Sequence, residues 1–148
     1  MKKIIIFGGS GFIGLNLAKL LLKRNYKVTI FDQKKNNLKN KNLKHIIGNI
    51  ENFKKVDRSI KGNDYVYNFA GIADIGESIY KPIETVKINI LGTINTLESC
   101  VKHKIKKYLF ASSIYVMSNQ GAFYRASKKS CEIYIEEYNR RFNQKFTR

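Results

Sequence analysis

KKIIIFGGSGFIG, residues 2–14, is a buried strand running into a glycine turn and then a helix. Lys2 to Phe7 is short, continuous and rich in β-branched isoleucine, as a strand covered on both faces requires. Gly8 to Gly11 forms the turn. Phe12 to Arg24 follows as a helix, with Ile13, Leu17, Leu20 and Leu21 at helical spacing, and ends near Asn25. Two lysines before an apolar run imitate a secretion signal. The glycines and Ser10 interrupt that run, and no small-x-small cleavage site follows. Gly8, Gly11 and Gly14 make a GxxGxxG pattern. Gly8 permits the tight turn, Gly11 lets a phosphate approach the backbone, and Gly14 lets the helix pack close to the sheet. The free N–H groups and positive dipole end of the helix then face a pyrophosphate. A glycine triplet alone is weak evidence. This one has the strand before it, the helix after it and Asp32 about 20 residues on, which together make a dinucleotide fingerprint.

Asp32 selects the form of the dinucleotide. Its carboxylate accepts hydrogen bonds from both hydroxyls of an adenine ribose and repels a 2′-phosphate, so NAD is expected. Lys34 and Lys35 favour the opposite choice, but they lie on a polar loop while Asp32 ends a strand.

The rest of the chain repeats the alternation. Lys27 to Phe31 reads as a second strand and Lys44 to Ile47 as a third, with Gln33 to Asn42 a polar loop between them. A helix is expected from about Glu51 to Ile60, a fourth strand over Tyr65 to Phe69, and a loop over Ala70 to Tyr80. Pro82 suits the first turn of a long helix to about Lys102, where its missing N–H costs nothing. Tyr108 to Ala111 ends a fifth strand, and Ser112 to Phe123 reads as a loop. Tyr124 to about Asn143 reads as a helix, and Phe146 to Arg148 as the start of a strand. Alternating strands and helices predict an α/β Rossmann fold: a doubly wound parallel sheet with helices on both faces. The ligand site then lies at the carboxyl ends of the strands.

Composition narrows the class. A chain of 148 residues supports a single core, so residues 1–148 are expected to form one NAD-binding domain. No apolar run is long enough to cross a membrane. Cys100 and Cys131 are too few for a secreted disulfide scaffold, so a reducing cytoplasm is expected. Cys100 and His103 have no second pair to complete a metal site. The formal charge is +17, but apart from Lys34 to Lys44 the basic residues are scattered along the sequence. Lys, Asn and Ile are all abundant, a bias that raises charge without any nucleic-acid role. No nucleic-acid partner is therefore expected.

Tyr124 and Lys128, in YRASK, sit at i and i+4 and share one helix face. A phenol of pKa about 10 is a poor base at neutral pH. An ammonium about 4–5 Å away favours its ionised form by a few kcal/mol.

These residues resemble the extended short-chain dehydrogenase/reductase family, specifically its nucleotide-sugar epimerases and dehydratases. GGSGFIG, with Phe12 and Ile13 inside it, looks like the family's cofactor fingerprint. NFAGIADIGESIYKPIETVKINILGT resembles the fourth strand, cofactor loop and long helix of its 4-epimerases, and FASSIYVMS the fifth strand with the catalytic serine, here Ser113. The resemblance implies that Asn89 joins Ser113, Tyr124 and Lys128 by holding a water near Lys128. Phe69, Ala70 and Gly71 would line the nicotinamide side, and Asn49 with Ile50 would read adenine. It further implies epimerisation of a nucleotide-linked sugar, of the UDP type, through transient oxidation at C4 with Tyr124 as base, by a protein that is a homodimer at full length. A reductase or dehydrogenase of the same family, or a non-catalytic NAD-binding module, is the alternative. Dehydratases carry Asp-Glu after the serine position, where Ile114 and Tyr115 stand here. Asn49 replaces the commoner aspartate, Ala73 stands where many 4-epimerases have lysine, and the segment from Ser113 to Tyr124 is short. The chain is expected to be truncated before the family's substrate domain.

Overall fold

The computed structural model describes residues 1–148. Six parallel strands form one sheet: β1 (Lys3–Phe7), β2 (Lys27–Asp32), β3 (Leu43–Ile47), β4 (Tyr65–Asn68), β5 (Lys107–Phe110) and β6 (Phe146–Thr147). Their spatial order is β3-β2-β1-β4-β5-β6. The order reverses beside β1, and this opens a crevice at the carboxyl ends of β1 and β4.

Side-chain alternation along β1 builds two cores. Ile4 and Ile6 face α1 (Phe12–Lys23), against Ala18, Leu21 and Leu22. Ile5 and Phe7 face the other way, into a larger cluster with Val56 and Ile60 of α2 (Phe53–Ile60) and Leu97 of α5 (Gly92–Lys102). Cys131 and Ile135 of α6 (Ala122–Phe142) complete that cluster. Helices thus cover both faces, as the alternation predicts. Both cysteines are buried thiols. No helix is long and apolar enough to cross a membrane.

The structure departs from expectation in three places. The segment 70–80, expected as a loop, contains α3 (Ile75–Tyr80), because the Asp74 carboxylate caps it by accepting the Glu77 N–H at 2.7 Å. The long helix from Pro82 is helical throughout but not uniform. After α4 (Pro82–Thr85) it widens into a π-helical stretch, Val86–Leu91, before α5. The segment 112–123 holds a 3₁₀ turn at Ile114–Met117, and α6 starts at Ala122.

Candidate functional site

The loop after β1 closes tightly on the loop after β4. Gly8 has φ +73°, and a Cβ there would lie 2.7 Å from the Ala70 nitrogen. A Cβ on Gly14 would collide with the Gly8 carbonyl oxygen. The turn and the first turn of α1 therefore sit close together only because both residues are glycine. Gly11, the N-cap of α1, offers no side-chain hydrogen bond to the helix start. The first-turn N–H groups are left for an anion.

Asp32 links two loops. One carboxylate oxygen accepts the Ser10 N–H at 2.9 Å and the other the Lys34 N–H at 3.0 Å. The Ser10 hydroxyl donates to the Lys34 carbonyl at 2.7 Å and accepts from Asn36. Each oxygen of Asp32 keeps a further lone pair for a ribose hydroxyl.

A cleft of about 450 Å³ runs between these loops. Of the expected cofactor residues, Gly8, Gly11, Asp32, Ile50, Phe69, Ala70 and Gly71 line it. Gly14 lies behind the wall. Phe12 and Ile13 begin α1 with exposed side chains, so only their backbone N–H groups serve an anion. Asn49 is exposed and outside the cleft wall. Its side-chain oxygen accepts the Glu51 N–H at 3.0 Å and its amide donates to the Glu51 carboxylate. Glu77 of α3 also lines the cleft, and sequence reasoning missed it. The signal was present in DIGE, an acid followed three residues later by glutamate, which is a helix-start pattern.

The second group of residues stands on α6 and the end of β5. Lys128 is buried; its Nζ donates to the Ala111 carbonyl at 2.8 Å and lies 4.6 Å from the Phe110 ring centroid. Burial lowers its pKa. The same Nζ is 5.8 Å from the Tyr124 ring centroid. Two of its three N–H donors remain for a ligand. The Tyr124 N–H donates to the Ser78 hydroxyl at 3.2 Å, which ties α6 to α3. Tyr115 packs edge-on to Tyr124 with centroids 6.4 Å apart. The Ser113 hydroxyl accepts the Tyr115 N–H at 3.3 Å.

Asn89 lies in the π-helical stretch and is buried. Its oxygen accepts the Ile72 N–H at 2.8 Å, and its amide donates to the Ile72 carbonyl and the Ser127 hydroxyl. Ser127 donates in turn to the Tyr124 carbonyl. Both amide protons of Asn89 are therefore engaged in joining the β4 loop to the helix that carries Tyr124 and Lys128. This clamp had no signal in the sequence, because its partners stand 17 and 38 residues away.

Known proteins share this fold. The family model described as "NAD dependent epimerase/dehydratase family" matches residues 4–147. The bifunctional UDP-glucose 4-epimerase and UDP-xylose 4-epimerase 1 of Pisum sativum is 31% identical over 131 residues, covering 78% of this chain and 37% of that protein. The UDP-glucose 4-epimerase of Rickettsia akari is 30% identical over 124 residues, covering 76% of this chain and 36% of that protein. Among solved structures, the Thermotoga maritima UDP-glucose 4-epimerase with UDP-glucose superposes with a TM-score of 0.87 at 27% identity, covering 97% of this chain and 53% of its own. The Thermus thermophilus UDP-glucose 4-epimerase in complex with NAD gives a TM-score of 0.87 at 26% identity, with the same coverage of 97% and 53%. The chain thus spans just over a third of these curated relatives and about half of these solved structures. A glycine turn closed on the β4 loop, an acid ending β2, and a family match over nearly every residue lead to one conclusion: this chain belongs to the NAD-dependent epimerase/dehydratase family.

Proposed function

We propose that this chain is the cofactor-binding and catalytic part of an NAD-dependent 4-epimerase acting on a UDP-linked hexose. The observation that carries this reading is the meeting of two groups at one end of the sheet. The Gly8–Gly14 turn and Asp32 form the cleft, and Ser113, Tyr124 and Lys128 stand on the neighbouring strand end and helix. The relatives named as UDP-glucose 4-epimerases supply the substrate class. When bound, NAD+ supplies a hydride acceptor for the sugar C4. The α1 N-terminus and Gly11 hold the pyrophosphate, and Asp32 holds the adenine ribose.

Tyr124 takes the proton of the sugar 4-hydroxyl, and Ser113 hydrogen-bonds the same oxygen. The free N–H groups of Lys128 orient the ribose hydroxyls and the phenolate. Asn89 acts through its clamp on Ile72 and Ser127, keeping the cofactor loop and α6 in one relation. The carbonyl side of its amide retains one lone pair for the water that the family resemblance implies. Ile114 and Tyr115, in place of an acid pair after Ser113, favour epimerisation over dehydration.

The protein works as a homodimer in a reducing cytoplasm. Exposed apolar side chains on the long helices, such as Leu91, Ile133 and Tyr134, are available to such an association.

The test is to titrate NAD+ and NADP+ against wild type and Asp32→Ala, and to follow interconversion of UDP-glucose and UDP-galactose by the full-length protein. NAD+ binds more tightly than NADP+ in wild type, and Asp32→Ala removes the preference. Tyr124→Phe lowers turnover by at least ~100-fold while NAD+ binding survives. Equal affinities in wild type, or near-normal turnover by Tyr124→Phe, overturn the assignment.

A further inference from the structure

The edge of the sheet opposite the cleft gathers lysines that lie far apart in the sequence. Lys3 opens β1 and Lys27 opens β2, and the two are direct partners across the ladder. Lys44 stands in β3 beside Thr29. Lys107 opens β5 beside Tyr65, and the Lys145 carbonyl accepts the Tyr108 N–H at the start of β6. Lys2, Lys41, Lys61, Lys104 and Lys106 fill the turns between them. Of these, Lys106 alone is in an ion pair, with Asp64 at 2.8 Å. Asp57, the other nearby acid, is already paired with Lys102 and His103. Of the other acids, Asp32 and Glu77 line the cleft at the opposite edge.

Helix dipoles do not cancel the row. α1, α2, α5 and α6 end at this edge, and their C-termini bring about −0.5 charge each, roughly −2 in all. Nine lysines without an ion pair outweigh that. Two clefts continue the row. One, of about 290 Å³, is lined by Lys3, Lys27, Lys41, Lys44 and two asparagines. The other, of about 510 Å³, is lined by Lys104, Lys106, Lys145, Asn143 and Phe142, among others.

We propose that this edge binds the phosphodiester backbone of a single nucleic-acid strand, without reading its bases. Shape favours a flexible strand. Six strands at ~4.8 Å spacing make a row of about 24 Å. A twist of ~20–25° per strand turns that row through roughly 100° from end to end. A flat bilayer or a straight duplex meets only part of such a line, whereas a single strand can follow it. Composition favours backbone contact: lysine is a point charge suited to phosphate, and lysine, not arginine, opens the strands, with Arg24 in the turn between α1 and β2. Phe142, half exposed beside Lys104 and Lys145, offers one stacking face at the end of the row. The lysines scattered in sequence are thus collected by the strand order, and the proposal stands against the sequence expectation of no nucleic-acid partner.

The test uses this chain, saturating NAD+ and a fluorescent oligothymidylate of about 30 nucleotides, with anisotropy read between about 50 and 200 mM salt. With about five phosphates neutralised, affinity falls by about 100-fold across that range. The variant Lys3→Gln/Lys27→Gln/Lys44→Gln reduces the salt slope by about 2. The control Lys19→Gln/Lys54→Gln/Lys129→Gln, with the same change in net charge on helix surfaces, leaves the slope unchanged. Thermal melting checks that both variants are folded. Equal loss in both variants assigns the binding to diffuse charge and overturns the proposal. So does failure to bind at the lowest salt, or displacement of the strand by NAD+. Tighter binding to phosphatidylserine vesicles than to the oligonucleotide, compared per anionic group, makes the partner a bilayer and overturns it as well.

Discussion

The two edges of one sheet carry opposite chemistry. At the carboxyl edge, strand ends lead into glycine turns and helix N-termini, and acids such as Asp32 and Glu77 stand around a cleft. At the amino edge, helices arrive with their C-termini, and lysines open the strands. The difference follows from the β-α-β alternation, because every crossover helix runs antiparallel to its strands and turns its positive end to one edge and its negative end to the other. The carboxyl edge is built by close packing that tolerates no added atom. The amino edge is built from exposed charges that pack against little. Substitutions at the first should therefore be costly and those at the second mild.

The largest effect is expected from Gly14→Val. Its side chain meets the Gly8 carbonyl oxygen and the Gly9 Cα at 2.7 Å. Both contacts are backbone, so α1 must move off the sheet. Overpacking of this kind costs about 1–3 kcal/mol or more, and NAD+ binding should fall below detection. Calorimetry and thermal melting check both. Unchanged NAD+ affinity would break the contrast between the edges, because it would show the carboxyl edge to be as forgiving as the amino one.

Lys128→Met should separate activity from stability. It removes the ammonium beside Tyr124 and abolishes turnover, yet it also removes a buried charge whose pKa is lowered by desolvation. We expect a gain of about 1 kcal/mol, a rise of roughly 2–4 °C in Tm. The pH dependence provides a second check. Because Lys128 has a lower pKa folded than unfolded, the unfolded chain holds its proton more tightly. Wild-type stability therefore gains as pH rises from the folded pKa toward the ordinary 10.5. The methionine variant lacks that gain.

The smallest effect belongs to the amino edge. Asp64 accepts the Lys3 N–H at 2.8 Å and pairs with Lys106, and these contacts lower its pKa, the Lys106 bond being the larger cause. A lowered carboxylate pKa gives stability that is present above the ordinary 3.8 and lost as pH falls through the folded value. Asp64→Asn should cost at most about 1 kcal/mol at neutral pH and flatten that acid limb. It also removes the one acid in the lysine row. Oligonucleotide affinity should then rise a few-fold, measured by the same anisotropy titration.

Much of the carboxyl edge was legible in the sequence because its signals are local. Gly8, Gly11 and Gly14 are three apart, and Tyr124 and Lys128 are four apart on one helix. Asp32 follows at the end of the next strand. Short α3 was missed because a six-residue helix shows too few apolar repeats, although Asp74 and Glu77 marked its start. The π-helical stretch was missed because helical periodicity barely registers one widened turn. Asn49 reads as an adenine contact from its place after β3; Glu51, two residues on, engages one lone pair and one amide proton of its side chain, a local pairing that the spacing alone does not show.

By itself, then, the sequence determined the fold class, the glycine turn, the acid at the end of β2 and the Tyr124–Lys128 pair. Each depends on spacing within one strand, turn or helix, where geometry follows from backbone periodicity. Tertiary structure alone decided the Asn89 clamp on Ile72 and Ser127, the packing of Lys128 against Ala111 and Phe110, and the lysine row. These join residues from different strands and helices. Strand order brings Lys44, Lys27, Lys3, Lys107 and Lys145 onto one edge, and no periodicity along the chain encodes that order.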